Sequence, residues 1–252
     1  MALFEVNCFS NTLGMGVHFN VIIPQNNIWG EIGTKQSGRT KYPVLYLLHG
    51  LSDDETTWLR RTSIERYATE KGVAVVMPTT RRGWYCDTPM GNFASFIGNE
   101  LPSLIAEFFP TISQERKDTF IAGLSMGGYG ALKFALTNPE RYAACAGLSG
   151  AYHVMTKPGC ERFVKEGLFK SAEDAEKQDI ISLIPKLKDL TEKPKVFIWC
   201  GTGDGLIESS RHVRGLLSEN GFDVAYSESE GYHGWKYWDE QIQNVLNWLP
   251  IE

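Results

Sequence analysis

The stretch Gly-Leu-Ser-Met-Gly at positions 123–127 constrains this chain most strongly, because of what lies on either side of it. The apolar run 119–122 before it predicts a buried strand, and the Ala-, Leu- and Phe-rich run 129–137 after it predicts a helix. A strand-to-helix turn this tight forces Ser125 into a strained backbone conformation, and the flanking glycines avoid collisions across it. Although the five-residue pattern alone often marks an ordinary loop, this context makes Ser125 the candidate nucleophile.

A serine hydroxyl is a poor nucleophile near neutral pH unless a histidine takes its proton. His233 is the candidate base, because it follows a predicted strand, Val224–Ser229, and directly precedes the last predicted helix. The alternative for His233 is a loop histidine that bonds only to backbone. The other histidines are interpreted as surface or packing residues, and the nearest competitor among them, His153, follows its own strand too closely: His18, His49, His153 and His212.

The acid that orients such a histidine is expected at the carboxyl end of a strand between Ser125 and His233. Asp204 meets this condition, since it lies in a glycine-rich turn after the apolar strand Lys195–Cys200. A simple turn-forming role is its alternative, and Glu208 is the nearest substitute. The remaining aspartates of this region lie in a polar, lysine-rich segment or begin a strand: Asp174, Asp179, Asp189 and Asp223.

Acyl transfer also needs donors for the oxygen that becomes negative in the tetrahedral intermediate. The backbone N–H of Met126, immediately after the nucleophile and at the positive end of a helix, is the first expected donor. The strand Val44–Leu48 runs into a His-Gly-Leu turn, and there the Leu51 N–H is the second. His49 is interpreted as structural, because it precedes the nucleophile.

Strands and helices alternate along the rest of the chain, which is typical of a mostly parallel sheet covered by helices on both faces. The sequence predicts further strands at 17–23, 73–77 and 143–149 and helices at 63–71, 99–109 and 208–220, with a last helix from Trp235. A chain of 252 residues suffices for one such domain, 1–252. The fold class predicted is α/β.

The segment 151–192 is longer than an ordinary connection between a strand and the next strand. Its apolar residues predict short helices, and we expect it to form a small cap-like insertion that helps to enclose the acyl group. Four aromatic residues near strand ends are candidates for the wall of the substrate pocket, with simple core packing as the alternative: Trp58, Trp84, Tyr85 and Trp235.

Composition excludes several other classes. The formal net charge is −5 and no basic stripe is present, so nucleic acid is not an expected partner. No stretch approaches the roughly 20 apolar residues of a membrane helix, and the start shows no secretory signal, so a cytoplasmic location is expected. Five cysteines without paired spacing favour neither a disulfide framework nor a zinc site. The polar run Gly30–Lys41 is expected to be a surface loop, and a homo-oligomer remains open.

Several segments together resemble the α/β-hydrolase superfamily, and within it the esterase D group of tributyrin esterases and S-formylglutathione hydrolases. The resemblance covers nearly the whole chain and is carried by these segments: 43–50, 75–78, 83–85, 100–102, 120–130 and 232–235. It is nearest to the bacterial tributyrin esterases, which implies hydrolysis of short-chain acyl esters by Ser125, Asp204 and His233 with no metal or organic cofactor.

One departure bears on the substrate. S-formylglutathione hydrolases have a Thr-Cys pair shortly after the turn that corresponds to His-Gly-Leu at 49–51. This chain has Ser-Asp-Asp-Glu at 52–55 instead, which weakens the interpretation as a glutathione thioesterase. Cinnamoyl (feruloyl) esters and thioesters remain alternative substrates on the same fold. A binding module that keeps an inherited Ser125 turn is the non-enzymatic alternative.

Overall fold

A twisted sheet runs through the part of the chain that this computed structural model describes, residues 1–25, 40–156 and 159–251. The predicted loop Gly30–Lys41 lies largely outside the described residues. The strands within the described ranges are β1 Ala2–Ser10, β2 Met15–Ile23, β3 Val44–Leu48, β4 Ala74–Pro78, β5 Asp87–Thr88, β6 Gly91–Asn92, β7 Thr119–Leu124, β8 Ala144–Leu148, β9 Lys195–Gly201 and β10 Val224–Ser229.

Eight of these described strands form one sheet in the order β1-β2-β4-β3-β7-β8-β9-β10, and β5 and β6 form a separate small ladder. Every neighbouring pair from β4 to β10 is parallel, whereas β1 pairs antiparallel with β2 and β2 pairs antiparallel with β4. The prediction of a mostly parallel sheet is therefore confirmed. Because β7 lies in the middle, the chain that leaves its carboxyl end is flanked by loops from both sides.

Helices connect the parallel strands. The described ones are α1 Thr57–Arg61, α2 Ile64–Lys71, α3 Phe93–Ser95, α4 Leu101–Phe108, α5 Met126–Thr137, α6 Gly159–Lys165, α7 Ala172–Glu176, α8 Ile180–Leu183, α9 Ile207–Glu219 and α10 Trp235–Trp248. A π-helical turn, Phe96–Glu100, joins α3 to α4, and two 3₁₀ turns lie at Arg116–Asp118 and Ile184–Leu187. No helix of the described ranges is both long and apolar enough to cross a bilayer.

The two faces of the sheet carry separate apolar cores, as alternating side chains on a strand require. In β3, Tyr46 faces the core that contains α4, α5 and α9, while Leu45 and Leu47 face the core beneath α2 and α10. All three side chains are almost fully buried. A strand buried on both faces contains no alternation of polar residues, which is why β3 is a continuous apolar run in the sequence.

Most predicted elements are found within a few residues of their predicted bounds. The predicted helix 99–109 is divided into the π-helical turn and α4, and Phe108 at the end of α4 is exposed. β1 was not predicted from the sequence. Its apolar residues lie on both sides of an edge strand, and Leu3 and Phe4 are exposed, so no period of two separates a buried face from a solvated one.

The described part of the predicted insertion contains α6, α7, α8 and one 3₁₀ turn, so the expected short helices are present. Its apolar residues join the core around α5, where Phe163 packs edge-on against Trp84 at 5.0 Å. Asp179 ends the loop before α8 and accepts hydrogen bonds from two amides of that helix, a typical N-cap. The insertion is thus packed against the side of the domain that carries α5.

Candidate active site

Ser125 lies between β7 and α5 with φ 54° and ψ −116°, a backbone conformation that residues other than glycine rarely adopt. The packing around it explains the glycines that flank it. A Cβ on Gly123 would lie 2.4 Å from the carbonyl oxygen of Gly127, and a Cβ on Gly127 would lie 2.5 Å from that of Leu48. The strained turn presents the Ser125 hydroxyl at the carboxyl edge of the sheet.

The side chains of Ser125, His233 and Asp204 form a continuous hydrogen-bonded relay. His233 Nε2 is 3.0 Å from Ser125 Oγ, and His233 Nδ1 is 2.8 Å from Asp204 Oδ2. His233 is partly exposed, whereas the Asp204 side chain is 1% exposed. The structure brings together three residues that the sequence placed after three different strands.

Several groups keep the Asp204 carboxylate ionised and in place. Burial alone would raise the pKa of Asp204, but hydrogen bonds from His233, from the Leu206 amide and from the nearby Ser149 hydroxyl lower it below its ordinary value. The Leu206 N–H donates to Asp204 Oδ1 at 2.9 Å, so each carboxylate oxygen has a donor. An ionised, anchored carboxylate can fix one tautomer of His233.

The turn after β3 approaches the nucleophile closely. A Cβ on Gly50 would lie 3.7 Å from Ser125 Cβ, so the backbone here passes directly beside the serine. Met126 is the first residue of α5, where amide groups have no acceptor within the helix. Leu51 lies in the same turn as Gly50 and lines the cleft at Ser125.

His49 holds this turn and takes no part in the relay. Its Nδ1 lies 2.7 Å from the Gly50 carbonyl oxygen, and its Nε2 accepts from the Thr80 amide at 3.1 Å. Burial lowers the pKa of His49 to about 4, so the ring is neutral at physiological pH. A neutral ring fits this pattern, with Nδ1 as donor and Nε2 as acceptor.

A cleft of about 190 Å³ opens beside the relay. Its lining consists of the turn after β3, the nucleophile turn and the start of α10: Gly50, Leu51, Ser52, Asp53, Leu124, Ser125, His233, Trp235 and Trp238. Trp238 contacts His233 edge-on, with ring centroids 4.8 Å apart, and Trp235 packs against Trp238 at 5.4 Å. One wall of the cleft is therefore aromatic.

Three of the four predicted wall residues lie in the core instead of in this cleft. The Trp58 indole donates to the Leu48 carbonyl at 3.1 Å, and the Tyr85 hydroxyl donates to the His49 carbonyl at 2.9 Å. Trp84 packs against Tyr129. All three are nearly or fully buried. The polar atoms of Trp58 and Tyr85 donate to backbone carbonyls, so these two large aromatic residues pack inward without an unpaired polar atom. Of the predicted set, the cleft contains Trp235.

The alternative acids and bases are engaged elsewhere. His153 Nε2 lies 2.7 Å from His212 Nδ1 on α9. Glu208 forms an ion pair with Arg211 at 2.6 Å. Among the described residues, no group of three or more potential ligands could hold a metal ion.

Sequence reasoning missed Ser149, which lies at the carboxyl end of β8, beside the nucleophile strand. It adopts a φ of 50°, its side chain is fully buried, and its hydroxyl accepts from the Trp238 indole at 3.2 Å. It thereby connects the ring that contacts His233 with the surroundings of Asp204. The signal was a polar residue at the end of an apolar strand, the same signal that identified Asp204.

Comparisons with known proteins agree with this architecture. A family model described as a putative esterase matches residues 10–249. The chain is 31% identical to an acetyl esterase from Caldicellulosiruptor saccharolyticus, over 99% of this chain and 98% of that protein.

Two similar structures come from Staphylococcus aureus. One is FphF, a fluorophosphonate-binding serine hydrolase, and the other is an S-formylglutathione hydrolase. Each has a TM-score of 0.82, 31% identity and 98% coverage of both chains. This chain belongs to the esterase family of α/β-hydrolases and is a serine hydrolase of carboxylic esters.

Proposed function

We propose that this protein hydrolyses short-chain acyl esters through an acyl-enzyme formed on Ser125. The single observation that carries the proposal is the relay in which His233 lies 3.0 Å from Ser125 Oγ and 2.8 Å from Asp204. Both distances are within the reach required for proton transfer and for orientation of a base. The strained conformation of Ser125 supports the same role, because strain of this kind persists at functional sites.

Each residue of the relay has a defined role in this mechanism. The Nδ1–H of His233 donates a hydrogen bond to Asp204, which fixes the tautomer whose Nε2 lone pair is directed at the Ser125 hydroxyl. Ser125 attacks the ester carbonyl as Nε2 takes its proton. His233 then protonates the departing alcohol, and in the second half it activates a water molecule that hydrolyses the acyl-enzyme.

We propose that the backbone N–H groups of Met126 and Leu51 donate hydrogen bonds to the oxyanion of the tetrahedral intermediate. The Met126 N–H lies at the N-terminus of α5, where the helix dipole adds to hydrogen bonding. The Leu51 N–H belongs to a turn held by His49 and by the buried donors Trp58 and Tyr85. A preorganised donor of this kind contributes about 3 kcal/mol to stabilisation of the transition state.

Cleft size supports a short acyl group. A volume of about 190 Å³ is below the roughly 300 Å³ at which small-molecule pockets begin. Leu51, Leu124 and the two tryptophans provide apolar walls for a few methylene groups. Acetyl and butyryl esters, including tributyrin, are the substrates we expect.

Substitution of Ser125 by alanine tests the proposed function. We expect Ser125→Ala to lower kcat/KM on 4-nitrophenyl acetate and butyrate by at least about a thousandfold, because the nucleophile is lost while the fold remains. Labelling by a fluorophosphonate should disappear in the same variant. Undiminished hydrolysis or labelling would contradict the assignment of Ser125.

Thioester hydrolysis is the second candidate, because the similar S. aureus structure is described as an S-formylglutathione hydrolase. The same acyl-enzyme chemistry would serve a thioester or a feruloyl ester. Rates on a butyrate ester, S-formylglutathione and methyl ferulate, measured side by side, distinguish the three substrates.

Other expectations from the sequence stay predictions: a cytoplasmic location, the absence of nucleic-acid partners, a homo-oligomer, one domain over 1–252 and a cap function for 151–192. None of the cleft-lining residues belongs to the described part of that insertion. The proposed cap function thus concerns only acyl groups long enough to extend beyond this cleft. The mechanism itself requires no metal or organic cofactor.

A further inference from the structure

A carboxylate lies in the cleft without a role in the relay. Apart from His233, Asp53 is the one ionisable side chain among the described residues that line the cleft at Ser125. Its Oδ2 would lie 3.3 Å from a Cβ placed on Gly50, and that same position is 3.7 Å from Ser125 Cβ. The carboxylate oxygen and Ser125 Cβ are therefore no more than about 7 Å apart, the sum of those two distances.

Asp53 differs from the neighbouring Asp54 in the hydrogen bonds and ion pairs that its carboxylate forms. Asp54 Oδ1 accepts hydrogen bonds from the Thr56 amide and hydroxyl and from the Thr57 hydroxyl, so that carboxylate has a structural role. Within the described residues no ion pair within 4.0 Å involves Asp53.

Burial of Asp53 is the main reason that the pKa of its carboxyl lies above the ordinary value. Asp54 also raises this pKa, whereas a hydrogen bond from the Gly50 backbone and the positive charge of Arg61 lower it. A half-buried carboxylate of this kind projects its field into the cleft, where screening by water is weaker than in bulk solvent.

We propose that Asp53 selects substrates by charge, favouring esters with a cationic or neutral group near the reacting carbonyl and disfavouring anionic ones. This inference rests on the proposed function. It names a substrate class: uncharged or cationic short-chain esters. Glutathione thioesters carry two carboxylates and one ammonium group at neutral pH, so the same charge disfavours them. The charge of Asp53 also acts on the negative tetrahedral intermediate. That effect is the same for every substrate, so it cancels when the kcat/KM values of two esters are divided.

Two pairs of butyrate esters measure this selection while the acyl group stays constant. The cationic pair is butyrylcholine and its uncharged isostere 3,3-dimethylbutyl butyrate. The anionic pair is 3-butyryloxybenzoate and its methyl ester. The measurements are made at pH 8, far above the ordinary pKa of an aspartate side chain, and kcat/KM of each charged ester is divided by that of its neutral partner.

In the wild-type protein we expect the cationic ratio to exceed the anionic ratio. Asp53→Asn keeps the shape of the side chain and removes its charge, so each ratio should move by about fivefold, in opposite directions. Glu55→Gln is the matched control, because it removes the same charge two residues away and Glu55 is not among the lining residues. That variant should keep the wild-type ratios.

Ionic strength provides a second measurement that requires no variant. Raising NaCl from 0.05 to 0.5 M should move both wild-type ratios toward those of Asp53→Asn, because added salt screens a partly exposed charge. Ratios that are equal in wild type and Asp53→Asn, or that do not respond to salt, would overturn the role of Asp53 while leaving the esterase intact. A wild-type protein that hydrolyses none of the neutral esters and takes no fluorophosphonate label would instead overturn the proposed function, and this inference with it.

Discussion

The residues of the relay act through neighbours that hold them in place. His233 is held by Asp204 on one side and by the Trp238 ring on the other, at 2.8 Å and 4.8 Å respectively. The Trp238 indole in turn donates to Ser149. Because geometry within a fraction of an ångström decides proton transfer, these contacts matter for rate as well as for stability.

Ser149→Ala should lower kcat by about tenfold with little change in KM, since hydrogen bonds to charged groups contribute about 1.5–3 kcal/mol. The buried Trp238 indole loses its acceptor, and Asp204 loses a nearby hydroxyl. Steady-state kinetics on 4-nitrophenyl acetate measure the effect, and urea unfolding measures the accompanying loss of stability.

Ser113→Ala is the matched control for this prediction. Ser113 is also buried, and its hydroxyl donates to Asp118 at 2.7 Å, but it lies before β7, at the opposite end of that strand from Ser125. It should lose stability and keep its kcat. Equal kcat values in the two variants would contradict a positioning role for Ser149.

Residue types and chain order were sufficient to predict that the side chains of Ser125, His233 and Asp204 meet, because each follows a strand of recognisable apolar character. The wall residues were less predictable. A large aromatic residue near a strand end is compatible with a pocket or with the core, and Trp58 and Tyr85 lie in the core because backbone carbonyls accept their polar hydrogens. That outcome depends on tertiary contacts which no local pattern contains.

At the scale of elements, α5 is held by close packing more than by helix propensity. Its first turns contain three glycines, residues that cost about 0.5–1 kcal/mol each in a helix interior. A Cβ on Gly128 would lie 2.9 Å from the Gly150 Cα, and one on Gly130 would lie 2.6 Å from the Tyr85 ring. The helix therefore approaches its neighbours more closely than any other residue type would allow.

Gly127→Ala should disrupt this approach. The new methyl group would meet two backbone carbonyl oxygens, of Leu48 at 2.5 Å and His49 at 2.6 Å, neither of which belongs to a flexible side chain. We expect a loss of about 1–3 kcal/mol in the free energy of unfolding. Activity should fall by at least about tenfold, because Leu48 and His49 lie just before Leu51, whose N–H we propose as an oxyanion donor.

Gly215→Ala in α9 makes the same chemical change where there is room. Nothing lies within 4 Å of a Cβ at Gly215, so the variant should gain about 0.5–1 kcal/mol of stability and keep its activity. Urea unfolding and turnover of 4-nitrophenyl acetate, measured for both variants, test the pair. A stable, active Gly127→Ala would show that the turn tolerates displacement.

The inner parallel strands were predictable as elements because both of their faces are buried, which leaves continuous apolar runs. The edge strand β1 was harder. β1 pairs only with β2 in the described sheet, and its apolar residues Leu3, Phe4 and Phe9 are exposed. Its sequence therefore shows no alternation of apolar and polar residues that would indicate a strand. α4 begins at Leu101, and Pro102 lies in its first turn, where the missing N–H of proline is tolerated.

At the scale of the whole molecule, the order of strands brings the site together. β3, β7, β8, β9 and β10 are consecutive in the sheet, and Leu51, Ser125, Ser149, Asp204 and His233 follow their carboxyl ends in that order. The chain order of these residues was visible in the sequence. The contacts of the insertion were not, because its length and apolar residues say nothing about which surface it covers.

A buried lysine fixes where the insertion packs. Lys133 of α5 is 7% exposed, and its Nζ donates to the Tyr85 carbonyl at 3.0 Å and to Gln178 Oε1 at 2.6 Å. The Tyr129 hydroxyl also donates to the Gln178 carbonyl, at 2.7 Å. These bonds connect α5, the turn that carries Tyr85 and the segment between α7 and α8.

Lys133→Met should therefore loosen the insertion while leaving the relay in place. The methionine retains the apolar stem but leaves the Tyr85 carbonyl and the Gln178 amide oxygen unpaired, at a cost of about 2–3 kcal/mol. We expect the melting temperature to fall by about 4–10 °C. Amide hydrogen exchange should accelerate over residues 172–187, and turnover of 4-nitrophenyl acetate should stay within about twofold of wild type, because no described residue of the insertion lines the cleft.

Lys177→Met controls for the loss of a lysine from the same region. Lys177 is exposed and pairs with Asp174 at 2.9 Å, and surface pairs contribute at most about 1 kcal/mol, so stability and exchange should change little. Equal destabilisation of the two variants would contradict the anchoring role of Lys133. The pair also tests the predicted cap, since a cap that limits acyl length predicts that Lys133→Met, but not Lys177→Met, raises the rate on octanoate relative to acetate esters. An unchanged ratio in a loosened insertion would show that segment 151–192 does not enclose the acyl group.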